Sequence, residues 1–240
     1  MRYLCFFIFF CFAGQLIAAP LPHIPEARPY PEVENISIDG IGFGFRTGFS
    51  TFSHPKIDYS STLSRNFSNK KISPVTENLI KSFCEAYPED STDGIGRRFK
   101  YVIKDDGGFV FRPTVIYTLL VDEEGYLFEF EKEISVSDYL LKRKVNLDEL
   151  IAQELKSFPK PHFTQKSENG ITKITSLWWG VDHAIMNKGG SFSIANASWA
   201  RQFWGKVVEF KKVESKSGCN IYISLVDNYQ QYLRIIRTAP

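Results

Sequence analysis

Apolar residues recur along this chain with two different periods, and the change of period marks out its elements. From Ser73 the spacing is helical. Leu79, Ile80, Phe83 and Tyr87 fall on one stripe, Ser73 stands as N-cap, Pro74 takes the first position, and Pro88 ends the run. A second helical stripe joins Leu147, Leu150, Ile151, Leu155 and Phe158. It opens on Asn146 with Glu149 three residues later, a capping-box pattern, and Pro159 and Pro161 stop it. Shorter helices are predicted over 137–143 and 197–204, the latter carrying Trp199 and Phe203 at i and i+4 with Gly205 as its cap.

The rest of the pattern has period 2. Residues 99–104 lead into Asp105-Asp106-Gly107-Gly108, a hairpin turn signal, and a long apolar strand is predicted from 109 to 121. Asp122 to Gly125 turn it back into 126–134. There Phe128, Phe130 and Ile134 face one way while Glu129, Glu131 and Glu133 face the other, so one side is core and the other wet. Strands are also predicted over 171–179, 206–213, 219–226 and 229–237, with Cys219, Ile221, Ile223 and Leu225 sharing a face. Residues 36–52 alternate glycine with Ile or Phe and read as one strand with a bend. Residues 53–72 are polar and serine-rich and read as a loop. These elements predict an α+β fold: a mostly antiparallel sheet, or two packed sheets, with three or four helices on one side. One globular domain is expected over 35–240, with a possible sub-boundary near 159–170, and no internal repeat is visible.

The first residues follow neither period. Arg2 precedes an apolar run from Leu4 to Gly14, and Ala18 and Ala19 then precede Pro20. That is the layout of an export signal, expected to be cut after Ala18, and it is too short for the roughly 20 apolar residues a bilayer requires. Residues 19–34 follow as a proline-rich, extended arm. The expected address is extracellular or periplasmic, with no membrane span after processing.

Composition narrows the function without fixing it. Apolar residues make up 43% and charged residues 23%, ordinary for a globular protein, and a net charge of +2 argues against a nucleic-acid partner. Cys5 and Cys11 lie in the signal. In an oxidising compartment the remaining pair, Cys84 and Cys219, is expected to form one disulfide between the first helix and the last sheet. Closing a loop of about 100 residues stabilises by roughly 4.7 kcal/mol in the chain-entropy model. Two cysteines cannot build a structural zinc site, so no metal is expected. The spacing of Gly40, Gly42 and Gly44 is not a phosphate-binding register, and no cofactor is implied. Asn35, Asn66 and Asn196 each open an Asn-x-Ser sequon.

Candidate chemistry is sparse. His183, with Asp182 beside it, is the one histidine in a suggestive setting, and Ser191 or Ser193 could serve it as a nucleophile. The glycine frame of a hydrolase serine is missing, however. Carboxylates at 129, 131 and 133 are spaced permissively for glycosidase chemistry, yet the same row suits a solvated strand. Arg46, Ser191 or Ser193, and Glu209 follow an order that is similar to secreted ADP-ribosylating toxins. The Arg-to-Ser gap is longer than in that family and no Glu-x-Glu or Gln-x-Glu follows. Aromatic residues reach 15%, and Trp178, Trp179, Trp199 and Trp204 cluster late in the chain. Exposed, such a cluster stacks on sugars or anchors a protein partner. The expectation is a secreted, non-catalytic binding protein for an extracellular protein or glycan. The alternative is a secreted hydrolase using His183 and nearby carboxylates.

Overall fold

Among the described residues, eight antiparallel strands form one sheet. The computed structural model describes residues 31–49, 56–68, 71–86, 88–90, 96–103, 112–143, 145–180 and 206–227. The sheet consists of β5 (Glu89–Asp90), β6 (Arg97–Ile103), β7 (Thr114–Val121), β8 (Leu127–Ser137), β9 (Phe163–Glu168), β10 (Lys173–Trp179), β11 (Lys206–Ser215) and β12 (Gly218–Asp227). Their spatial order is β5-β6-β7-β8-β12-β11-β10-β9. Each strand therefore pairs with its sequence neighbour within two runs of four. The runs meet where β8 lies against β12, with Phe130 opposite Leu225 and Ile134 opposite Ile221.

Alternation along β8 assigns the faces. Phe130, Ile134 and Val136 are buried with Ile221, Ile223 and Leu225 of β12, while Glu129, Glu131 and Glu133 on the other face are half-buried. The core face receives the helices. α3 (Pro74–Glu85) is capped as its sequence predicts: the Ser73 side chain accepts from the Thr76 N–H, and Pro74 sits in the first turn. Leu79, Ile80 and Phe83 are buried, and Phe83 meets Phe130 edge-on at 6.3 Å. α5 (Leu147–Glu154) is capped by Asn146, which accepts from the Asp148 and Glu149 N–H groups. It ends earlier than its apolar stripe, because the chain tightens into a turn over 155–157 before Pro159. α4 (Asp138–Arg143) joins β8 to that helix. The fold class is α+β, dominated by antiparallel strands.

Three stretches differ from expectation. Residues 59–67, read as loop, form α2 (Tyr59–Phe67), started by Asp58, whose carboxylate accepts from the Ser61 N–H. The described part of the expected strand over 36–52, residues 36–49, does not form one strand. They fold into a hairpin of β1 (Ser37–Ile38) and β2 (Ile41–Gly42), and then β3 (Gly48–Phe49) pairs with β4 (Ile57–Asp58). The expected boundary region 159–170 contains the edge strand β9. The single turn α1 (Pro31–Glu34) is pinned by a hydrogen bond between Glu32 and His162 and by an ion pair between Glu34 and Lys206.

The disulfide expectation is corrected. Cys84 and Cys219 are both free thiols. α3 packs beside β6, whereas Cys219 is the second residue of β12, opposite Val136 and three strands from β6 in the sheet order. Their surroundings also differ: Asp58 and Glu85 lie near Cys84, and Glu214 and Lys212 near Cys219. Burial pushes each thiol up to about 11. The expected export signal, most of the expected proline arm and the strand expected over 229–237 lie outside the described residues. Among the described residues no helix is long and apolar enough to cross a membrane.

Candidate functional site

The β1–β2 connection is a two-residue Asp-Gly turn, and it positions the half-buried Asp39 carboxylate. Asp39 and Gly40 have φ of 49° and 85°. Positive φ at both central residues marks a type I′ turn, which Asp-Gly favours because Asp tolerates the left-handed region and Gly is at home there. The turn abuts the start of α3: the Thr76 hydroxyl donates to the Asp39 carbonyl at 2.8 Å, and the Ser73 hydroxyl lies 2.7 Å from that of Thr76. Ile36, Ile38, Ile41 and Phe45 around the turn are buried. The hairpin is thus fixed by its own apolar side chains and presents the Asp39 carboxylate to the sheet.

That carboxylate meets a buried lysine. Lys132 lies on the core face of β8, in register with Tyr117 of β7 and Ile223 of β12, and is 5% exposed. Its Nζ donates to Glu154 Oε1 at 2.9 Å and Oε2 at 2.7 Å, and lies 2.9 Å from Asp39 Oδ2. Three acceptors match the three N–H donors of an ammonium group. The Tyr117 hydroxyl donates to the same Asp39 Oδ2 at 2.7 Å, and the Tyr117 ring faces the ammonium at 5.7 Å. Burial first, and the Asp39 charge second, hold that hydroxyl protonated far above the ordinary tyrosine range. Hairpin, sheet and α5 are tied together through one nitrogen.

Above this cluster opens a cavity of about 200 Å3, lined by Ser37, Ile38, Asp39, Gln153, Glu154, Ser157, Phe158 and Ile223. Hydroxyl, carboxamide and carboxylate groups dominate the lining, with Phe158 and Ile223 adding apolar surface. Two acidic groups and one basic group share this cluster, and the Tyr117 hydroxyl donates to Asp39.

The sequence-based candidates lie elsewhere. Trp178 and Trp179 are 4% and 1% exposed and point to opposite faces of β10. Trp179 belongs to the core: its indole N–H donates to the Pro159 carbonyl at 2.8 Å, and its ring meets Phe158 edge-on at 5.2 Å. Neither offers the exposed aromatic surface the sequence suggested. Trp199, Trp204, Asp182, His183, Ser191 and Ser193 lie outside the described residues. Glu129, Glu131 and Glu133 occupy the sheet face opposite the cavity. The structure does not bring Arg46 and Glu209 together: Arg46 stacks over Tyr126 at 4.0 Å, while Glu209 sits on β11 opposite Trp178 and Ser224. Among the described residues no group of three or more His, Cys, Asp and Glu side chains could hold a metal ion.

Two informative groups were missed in the sequence. Lys132 has the same parity as Phe130 and Ile134, so the strand pattern already placed a charge among core residues. His162, next to Pro161, carries no periodic signal in the sequence. It accepts the Gly180 N–H on Nδ1 at 2.9 Å and lies 3.0 Å from Glu32 through Nε2, which assigns the proton to Nε2. Comparison with protein-family models, with curated proteins and with solved structures gives no match to this chain.

Proposed function

We propose that this chain is an extracellular, non-catalytic binding protein whose site is the polar cavity between the β1–β2 hairpin and α5, and that it takes one sugar residue of a glycan. The observation that carries the reading is the lining. Ser37, Gln153 and Ser157 supply neutral donors and acceptors, Asp39 and Glu154 supply charged acceptors, and Phe158 and Ile223 offer an apolar patch for the C–H face of a ring. A volume of about 200 Å3 admits a single compact group rather than a drug-sized ligand. The address comes from the export signal, and the burial of Trp178 and Trp179 is why the site moves from the aromatic segment to the cavity.

Binding to an array of glycans, followed by calorimetry with the free monosaccharide of any hit, tests the reading. The wild-type chain is expected to bind a subset of glycans saturably. Ser157→Phe fills the cavity from the exposed turn that follows α5 and is expected to abolish that binding with little change in unfolding temperature. Undiminished binding by the Ser157→Phe protein, or no saturable binding across the array, sinks the proposal.

A further inference from the structure

We propose that Asn35 carries an N-linked glycan, and that Asn66, in the same kind of sequon, is kept bare by the fold. The inference rests on the export reading of residues 1–18. The two asparagines differ in exposure. Asn35 is exposed at the turn that follows α1. Asn66, in the last turn of α2, is half-buried and uses its whole carboxamide. Its Oδ1 accepts from the Arg46 N–H at 2.8 Å, and its Nδ2 donates to the Arg46 carbonyl and to the Thr62 carbonyl, both at 2.7 Å. One side chain thus satisfies both backbone groups of Arg46 and fastens α2 beside the strand that starts at Gly48. Asn196 lies outside the described residues.

Glycan transfer makes a bond from Nδ2 to the anomeric carbon of a sugar. The bond from that carbon to a lipid diphosphate donor breaks, the lipid diphosphate leaves, and one Nδ2 proton passes to a base of the host transferase. At Asn66 the product would keep one N–H for two buried carbonyls and would set a bulky polar ring between α2 and residues 46–48. An unsatisfied carbonyl and the displaced packing oppose closure of the native structure. Molecules modified there are excluded from the folded, secreted pool. At Asn35 the sugar stands over exposed surface. The same sequon continues through buried Ile36 to Ser37 at the cavity lining, which places the glycan near the rim of the proposed site.

The test uses the full chain with its own leader in a eukaryotic secretory host. Secreted protein is treated with an amidase that releases N-glycans in heavy-oxygen water, and its peptides are sequenced by mass spectrometry. Asn35 is expected as labelled Asp and Asn66 as unlabelled Asn. Label at Asn66 in folded secreted protein, or none at Asn35, overturns the proposal. If the chain stays inside the cell without glycans, the export reading has failed. The same chain behind a heterologous leader then decides the choice of sequon by the same two readouts. Asn35→Gln is expected to remove the glycan mass, whereas Asn66→Gln is expected to lower the unfolding temperature.

Discussion

Lys132 holds two carboxylates that would otherwise face each other beside Tyr117, so its charge matters more than its size. Lys132→Met keeps the apolar stem and removes the ammonium, leaving Asp39 and Glu154 without their shared partner. Breaking a buried pair from one side costs about 3–5 kcal/mol, and the partial exposure of both acids argues for the low end. Asp39→Asn is the cleaner partner variant, since Asn-Gly favours the same turn and only the charge is lost. A double-mutant cycle read from urea midpoints is expected to give a coupling of about 1–3 kcal/mol. Coupling within error of zero would mean the cluster is an accident of proximity. The thiols give a second expectation at this scale. Burial raises Cys84 and Cys219 from 9.0 to about 11, so the folded state holds their protons more tightly than the unfolded chain does. Their contribution is complete below about pH 9 and declines as pH climbs through about 11. Stability measured by denaturant across that window is expected to fall. Alkylation without reductant is expected to label both residues once the protein unfolds. Resistance of both to alkylation in denaturant would restore the disulfide. Lys132 itself was legible from parity. Its partners were not, because Asp39 and Glu154 reach it from elements far away in the chain, and single-strand periodicity carries no record of such contacts.

Among the elements, the hairpin of β1 and β2 depends on its turn more than on its length, since two residues per strand supply little pairing. Gly40 has φ of 85°, and a Cβ there would collide with the Thr76 hydroxyl. Gly40→Ala is expected to cost about 1–3 kcal/mol through left-handed strain and displacement of α3 from the turn. It is also expected to weaken whatever binds the cavity, because Asp39 would shift. A stability loss below the range for an ordinary surface substitution, roughly 0.5 kcal/mol, would show that the turn yields freely. The sequence announced elements wherever one local signal dominated. Ser73-Pro74 and Asn146 fixed two helix starts, and Asp122 to Gly125 fixed a hairpin, with the Asp122 carboxylate accepting from the Glu124 and Tyr126 N–H groups. It failed where local signals were weak or competed. α2 is serine-rich with a poor intrinsic preference for helix, and it forms because Asp58 caps it and Thr62 is buried under β3, accepting from the Gly48 N–H at 2.9 Å. β9 is almost wholly polar and exposed, so only its pairing with β10 makes it a strand. Asp39-Gly40 was a strong turn signal hidden inside a glycine-rich alternation.

The whole molecule repeats an order that its residues do not repeat. Two helices, α2 and α3, precede β5 to β8; two more, α4 and α5, precede β9 to β12; and the last strands of the two runs lie side by side. The seam between β8 and β12 is the best-buried pairing, with Phe130, Ile134, Ile221, Ile223 and Leu225 all at or below 2% exposure. Lys132 sits in the middle of it and gathers Asp39 from the N-terminal hairpin and Glu154 from α5. Each run of four strands leaves an apolar last strand uncovered without the other, so neither should be stable alone. Native-state hydrogen exchange tests this. The slowest amides are expected on both sides of the seam, at 130–134 and 221–225, opening at one shared free energy equal to that of global unfolding. Protection is expected to fall off toward β5 and β9 at the edges. If the β9–β12 amides exchange together at a lower free energy while β6–β8 stay protected, the halves are separate folding units. Lys132 would then join two bodies rather than lie within one. The distinction bears on the site as well, because a cavity whose walls come from α5 and the hairpin keeps its shape only while the seam beneath it is closed.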